Sequence, residues 1–513
     1  MRKTKVNNLI AAIDIGSNYL RMTISEIDKI GDFVILEEVV KQTNIGKDSF
    51  SFGRVKVQTI HDVCNDLKGF TSLMKDYNVR VYEAVATSGI READNKQYII
   101  EQIRIRTGIK VRCLNEAEER FLLLKGMKKE FLKMDIDFSK NIMVLNITSG
   151  AVEASIYKNK VLQFTESMKL GSLRISEMLA DFQNKTLEFP RLMEEYIESK
   201  IYLPKMNIRK IKVDYLVVVG GEFSTVTNIL KKSINDKEID LINRADFVKL
   251  YEEIKKMSGD QISFNYNVHK RKVYLYLSTI LLTDSFLNLT EAKEIYSPEV
   301  TFRQGILKDI YDNLINENNE GLDKEDIISS VWNLGDKYKI DKKHARYVLG
   351  TALNIFDKTE KLHKLGHRER LYLEISSILH DVGTFVNYIN HEVHSYEIIK
   401  NTSIIGLSDN ELNIIANIIR YHEDEDIKLE KDSNYYILSE KDRMTVSILA
   451  AILKLSEALD SSHLQKIEDL KISVTSDAIY FSLVAKEDIL LEEWNFKNSA
   501  YFFEEVMGIK AII

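Results

Sequence analysis

The chain has 513 residues, a formal net charge of −7, a pI near 5.9 and a mean hydropathy of −0.20. That balance suits a soluble chain of roughly three or four domains. It excludes a general nucleic-acid binder, so a polyanionic substrate would need locally gathered cations or a metal. Two cysteines, Cys64 and Cys113, make no disulfide framework and point to a reducing cytoplasm. The basic start Met1–Lys5 precedes an apolar run too short for a signal peptide, and no stretch reaches the ~18 apolar residues of a membrane span.

The first predicted element is a hairpin. The apolar run Ile10–Ile13 ends in Asp14, passes through Gly16-Ser17-Asn18, and alternates again from Tyr19. Glycine at such a turn lets backbone N–H groups approach an anion, and Ser17 and Asn18 add side-chain donors. Asp14 would repel phosphate unless it held a cation, which suggests Mg²⁺ or Mn²⁺ between acid and substrate. A third strand covers 32–40. A helix from Val57 to Tyr77 carries Ile60, Val63, Cys64, Leu67, Phe70 and Met74 at helical spacing. The strand Val79–Ser88 then leads through Gly89-Ile90-Arg91 into a helix. Arg91 would stand past the strand's C-terminal end, where open α/β sheets bind ligands and an arginine can fork onto phosphate oxygens. A short strand, Ile109–Leu114, precedes a helix opened by Glu116, Glu118 and Glu119. Acids in a first turn complement the helix dipole, and capping is the default reading for Glu116.

The pattern then recurs: Asn141–Gly150 is again a strand and small-residue turn, followed by strands at 151–157 and 161–168. Two such lobes would face two phosphate-cradling turns, the second built from Thr148, Ser149 and Gly150, across one cleft. The buried strand Val213–Val219 meets Gly220-Gly221 before a helix expected from Ser224, a third anion-friendly terminus. After Gly305 the chain turns to helix upon helix, with eight of the ten histidines. His344, His380-Asp381, His394, His422 and Asp460 are spaced so that imidazoles and carboxylates could converge on a divalent metal. From Asp469 the chain returns to strands and closes as a small α+β cap.

The ordered set Ala12-Ile13-Asp14-Ile15-Gly16-Ser17-Asn18, Ala86-Thr87-Ser88-Gly89-Ile90-Arg91, Glu118-Glu119 with Gly126, Gly220-Gly221, and Phe302-Arg303-Gln304-Gly305-Ile306-Leu307 resembles the exopolyphosphatase / guanosine pentaphosphate phosphatase family. That family belongs to the sugar kinase–actin–heat-shock ATPase superfamily. The resemblance implies an α/β fold of duplicated actin-like (ribonuclease H-like) lobes at 1–130 and 131–305, then an all-α HD-like domain at 306–468 and the cap at 469–513. It implies Glu119 as general base and Arg91 as phosphate ligand, with Asp14, Gly16, Ser17, Asn18, Thr148, Ser149, Gly150 and Gly221 around the phosphates. Metal would sit near Asp14 and Glu153. A homodimer is implied as well. The order His344…His380-Asp381…Asp460 resembles HD-domain phosphohydrolases, and His394 and His422 would make a second metal possible.

Three departures from the family pattern stand out. The second loop, usually Asp-Ile-Gly-Gly-Gly-Ser-x-Glu, reads Asn146-Ile147-Thr148-Ser149-Gly150-Ala151-Val152-Glu153. The usual Gly-Gly-Thr is Gly220-Gly221-Glu222, and an arginine common two residues past the catalytic glutamate is Phe121. The expectation is removal of the terminal phosphate of inorganic polyphosphate. The rivals are hydrolysis of guanosine pentaphosphate, a metal-dependent nucleotide phosphohydrolase in the helical half, and a polyphosphate or alarmone sensor that does not turn over.

Overall fold

The structure, a computed structural model, describes residues 9–28, 31–131, 133–183, 185–186, 188–234, 241–315, 321–423, 433–475 and 477–513. The basic start of the chain lies outside them. Two compact units divide between residues 322 and 323.

In the first unit, β1 (Leu9–Ile15) is the central strand of a five-stranded sheet, with β2 (Tyr19–Ile27), β3 (Phe33–Gln42), β4 (Val81–Ala86) and β5 (Val111–Cys113) in the order β3-β2-β1-β4-β5. Strands β1, β2 and β3 are antiparallel, and β4 and β5 run parallel to β1. Because β1 is covered on both faces, Ile10–Ile15 is buried throughout, and a continuous apolar run replaces alternation. The helix Val57–Asp76 buries the six-residue stripe seen in the sequence. The second sheet comprises β6 (Ile142–Ile147), β7 (Val152–Lys158), β8 (Val161–Met168), β9 (Tyr215–Val219), β10 (Leu241–Asn243) and β11 (Glu294–Tyr296). Its order is β10-β11-β9-β6-β7-β8. From β8 to β11 it repeats the arrangement of the first sheet, antiparallel across β8-β7-β6 and parallel across β6-β9-β11. The fold is α/β, with mixed sheets and many helices. Beneath the second sheet runs the helix Val273–Leu287, buried at every position except Tyr274. Such a helix has no polar face, so no stripe in the sequence marks it.

Two predicted boundaries moved. The helix after β9 starts at Gly221, not Ser224, because Gly220 turns the chain at φ 131° hard against the Ile147 backbone. The expected division at 305/306 falls inside the helix Phe302–Ile315. That helix lies against Glu116–Phe131 and β1, where Ile306, Leu307 and Ile310 share a core with Ile10, Ala12 and Leu122. It therefore completes the first lobe rather than opening the helical half. The two helices cross at Gly126 and Gly305, and a Cβ on Gly305 would overlap the Leu122 carbonyl.

The second unit is mostly helical: Lys342–His363, His367–Leu379, His391–Lys400, Asp409–Arg420 and Glu440–Ala458. The Asp341 carboxylate caps the first of these through Lys343 N at 2.9 Å and His344 N at 3.2 Å, and Ser408 opens a capping box with Glu411. The tail forms a three-stranded sheet, β12 (Ile467–Val474), β13 (Ala478–Ala485) and β14 (Lys510–Ile512), with the helix Leu490–Met507 packed on Glu440–Ala458. No helix among the described residues is long and apolar enough to cross a membrane.

Gly305→Ala should lower the stability of the first unit by about 1–3 kcal/mol, since a backbone carbonyl cannot swing aside as a side chain can. Urea denaturation monitored by far-UV circular dichroism measures the loss, and Gly350→Ala, where a Cβ meets open space, is the control.

Candidate active site

The β1–β2 turn, the second loop and the start of the Gly221–Ile234 helix converge on one cleft of about 230 Å³. Asp14, Gly16, Ser17 and Asn18 line it from the first loop, and Thr148, Ser149 and Gly150 from the second. Gly221 lines it at the helix start, and Glu119 from the first turn of its helix. Gly16 N donates to Tyr19 O at 3.0 Å, which closes the tight turn. The hydroxyls of Ser17 and Ser88 lie 3.0 Å apart, and a Cβ on Gly150 would overlap Ser88, so the two lobes touch at this end of the cleft. The side-chain Nδ2 of Asn18 is buried and has no acceptor among the described residues. A buried donor left without a partner costs free energy, so this one is suited to a ligand oxygen.

Arg91 Nη1 donates to Glu119 Oε2 at 3.0 Å and to Leu114 O at 2.9 Å. Arg91 and Glu119 also line a small adjoining chamber with Glu116, Asn146 and Glu153, with room for about one water molecule. Burial pushes the Glu119 carboxyl above the usual range; Arg91 opposes the rise, while Glu153 and Asp14 add to it. Asp14 is likewise raised by burial, against the pull of Arg21 and Arg303. Of the three acids opening the Glu116–Phe131 helix, the capping residue is Glu118, not Glu116. Its Oε2 accepts from Asn115 N at 2.9 Å while Asn115 Oδ1 accepts from Glu118 N at 2.8 Å.

The two carboxylates expected to share a metal are differently engaged. Glu153 is buried in an ion pair with Arg120 and lines only the side chamber, whereas Asp14 faces the cleft. Among the described residues no three-ligand group includes either one. Mg²⁺ needs only one or two protein carboxylates, completing its shell with water and substrate oxygens. Asp14 fits that role, but Glu153 does not while Arg120 holds it, and Glu119 is engaged by Arg91 in the same way.

In the second loop, the Thr148 hydroxyl exchanges hydrogen bonds with Ala151 at 3.0 and 3.1 Å and closes the turn on itself. Ser149 Oγ donates to Glu222 Oε1 at 3.1 Å. Glu222 is buried in the cleft wall, and burial raises its pKa. Glu222 stands where the sequence departure places an acid at the anion-friendly helix start, whereas two cleft residues, Arg21 and Arg303, escaped the sequence reading. Arg21 pairs with Asp14 at 3.4 Å across the hairpin, a register that the two-strand pattern already contained. Arg303 binds Thr23 and Glu38 at 2.6 and 2.8 Å from 280 and 265 residues away, which no local signal announces.

The second unit gathers His344, His380, Asp381, His391 and His422, whose ligand atoms fall into groups spanning no more than 4.8 Å. His394 belongs to none of these groups. His391, Ser395 and Ile399 form the buried face of their helix, at spacing i, i+4, i+8, and His394 lies off it. Asp460 stands behind His344: its Oδ2 is 2.9 Å from His344 Nδ1, and Gln465 N and Nε2 donate to Oδ1 and Oδ2 at 2.7 and 2.9 Å. It orients a ring rather than facing the cluster centre. Burial pulls His380 down to about 4 and His422 to about 3. Burial also pulls on His391, but its hydrogen bond and attraction to Asp381 push it up to about 9.

The sequence profile of the Ppx/GppA phosphatase family matches residues 15–314, more than half of the chain, and that of Ppx/GppA phosphatase domain III matches 328–498. The chain belongs to the Ppx/GppA phosphatase family. Its members are phosphatases that hydrolyse phosphoanhydride bonds. A bifunctional 3-dehydroquinate synthase/phosphatase of Fusobacterium nucleatum subsp. nucleatum is 28% identical over 241 residues, 45% of this chain; the match spans only 35% of that longer relative. A guanosine-5′-triphosphate,3′-diphosphate pyrophosphatase of Pseudoalteromonas translucida is 20% identical over 427 residues, 81% of this chain and 80% of the relative. The crystal structure of an exopolyphosphatase from Cytophaga hutchinsonii superposes with a TM-score of 0.53 at 19% identity, over 60% of this chain and 98% of that one. It shares the fold, which is the actin-like Ppx/GppA fold.

Within this Ppx/GppA cleft, Arg120→Met should destabilise the first unit by about 3–5 kcal/mol by leaving the buried Glu153 uncompensated. Arg120→Met/Glu153→Leu should recover most of that loss, measured by urea denaturation as a double-mutant cycle.

Proposed function

We propose that the chain hydrolyses the terminal phosphoanhydride of inorganic polyphosphate, releasing orthophosphate, with guanosine pentaphosphate as the alternative substrate. The observation that carries this reading is Glu119: a half-buried carboxylate with a raised pKa, beside a water-sized chamber and in the same cleft as the Asn18 donor. Glu119 would take a proton from water in that chamber. The water oxygen would form a bond to the outermost phosphorus as the bond to the bridging oxygen breaks. Arg91 would hold Glu119 in line and bind a phosphate oxygen. Asn18, Ser17 and the Gly16 turn would grip the terminal phosphate, with Thr148, Ser149, Gly150 and Gly221 beside the next. Mg²⁺ or Mn²⁺ held by Asp14 would neutralise charge on the phosphate oxygens.

This reading makes the two sheets duplicated actin-like lobes, supported by their shared strand order. It makes the helical unit HD-like, supported by the neighbouring His380 and Asp381. Cytoplasmic location rests on the two unpaired cysteines, Cys64 and Cys113, and a homodimer on the sequence resemblance alone. A non-catalytic sensor of polyphosphate or alarmone is the second reading. It is favoured by Glu222, a carboxylate that meets Ser149 where an anion would dock.

Glu119→Gln should reduce phosphate release at least 100-fold while retaining substrate binding. The assay covers long polyphosphate, short polyphosphate and guanosine pentaphosphate with the metal varied, and calorimetry follows binding. Release at the parental rate would overturn the base assignment, and binding by the parent without release at any metal would favour the sensor. In Arg91→Met the acid limb of the pH–rate profile should move to higher pH, because Arg91 lowers the Glu119 pKa and its loss lets it rise.

A further inference from the structure

The second loop carries Thr148 and Ser149 in place of glycines, and one short segment holds its shape. Ser172 N donates to Thr148 O at 3.0 Å, and Leu173 N and Arg174 N both donate to Ser149 O at 3.1 Å. Arg174 Nε donates to Gly150 O at 2.7 Å. All three loop carbonyls therefore turn toward the start of the helix Ser172–Met178. In a trans peptide the N–H points opposite to the C=O. The Thr148 and Ser149 carbonyls thus set the N–H groups of Ser149 and Gly150 away from that helix. Neither N–H has an acceptor among the described residues, and both residues line the cleft. The backbone keeps two donors for an anion although the hydroxyls of Thr148 and Ser149 are engaged within the protein.

Arg174 also reaches across to the first lobe. Its Nη2 donates to Glu92 Oε1 at 2.6 Å, and its guanidinium lies 4.0 Å from the centre of the Phe50 ring. Glu92 directly follows Arg91, at the end of the single helical turn Ser88–Arg91, and Phe50 belongs to the helix Ile45–Phe52. One largely buried side chain is therefore pinned by a loop carbonyl, a carboxylate and an aromatic face. Lysine could not reproduce this, because a single ammonium cannot lie flat on a ring and donate in two fixed directions. Arg91 is held independently, by Glu119 and by Leu114 O. We propose that Arg174 is a positioning residue that sets the second phosphate loop in register with the first lobe, so that a substrate with two or more phosphates meets both grips at once. This rests on the phosphoanhydride reading of the cleft. Loss of Arg174 releases the second loop and leaves the Arg91–Glu119 pair in place.

The test compares Arg174→Met, Arg174→Lys and Glu92→Gln with the parent, each shown to be folded by urea denaturation. Calorimetry with tripolyphosphate and with orthophosphate, both with Mg²⁺, reads the two grips apart, because orthophosphate needs only the first loop. Arg174→Met and Arg174→Lys should bind tripolyphosphate about 10- to 100-fold more weakly and orthophosphate as the parent does. Glu92→Gln keeps the Gly150 contact but weakens the bridge, and should also weaken tripolyphosphate alone, which decides the matter if both Arg174 variants unfold. In phosphate release, kcat/KM should fall with tripolyphosphate affinity, while the acid limb of the pH–rate profile stays at the parental pH because Arg174 does not pair with Glu119. Parental tripolyphosphate binding in the variants, equal weakening toward both ligands, or full rescue by lysine would overturn the proposal. A parent that binds tripolyphosphate but releases no phosphate defeats the hydrolytic reading instead, and the binding comparison still decides the role of Arg174.

Discussion

The cleft depends on holding a carboxylate away from bulk water without losing its charge. Glu119 is half-buried beside two other acids, an arrangement that favours the protonated form, and the Arg91 guanidinium at 3.0 Å is what opposes it. That guanidinium is itself fixed by the Leu114 carbonyl, so one arginine joins the end of β5 to the first turn of the next helix. Its neighbour Arg120 does the same for Glu153, reaching from the first lobe to a strand of the second. A buried pair of this kind adds little net stability, but losing one partner is expensive. The two arginines therefore act as constraints on geometry, keeping two acids of one small chamber in different roles.

The second loop shows how the same architecture tolerates a changed sequence. Where family members carry glycines, Thr148 folds its hydroxyl back onto Ala151, and Ser149 is tied to Glu222. The cleft wall stays continuous, but donors that could face an anion are spent within the protein. The first loop keeps its buried Asn18 amide unpartnered. The asymmetry between the loops is chemical rather than topological, since the strand orders on the two sides correspond.

Much of this could be read from the residues. The Asp14 hairpin announced itself through an apolar run, a glycine turn and renewed alternation, and the helix Val57–Asp76 through its stripe. Glu119 was separated from Glu116 and Glu118 only by resemblance, because three acids in a first turn look alike to the helix dipole. Arg303 could not be foreseen as a cleft residue, since its partners are brought to it by tertiary folding alone. The choice of His394 over His391 failed for a legible reason. The i, i+4, i+8 series His391, Ser395, Ile399 was present in the sequence, but small Ser395 carries no hydrophobic signal. The helix Val273–Leu287 escaped because total burial erases periodicity.

The helix Phe302–Ile315 lies against β1 and Glu116–Phe131, yet nearly the whole second lobe separates them in the chain. On the ribosome, the first lobe emerges with Ile10, Ala12 and Leu122 uncovered and stays so while the second lobe is made. Its closing layer arrives only when residue 315 has left the exit tunnel, so the newly made half-protein depends on chaperones, or on speed, to avoid sticking to its neighbours.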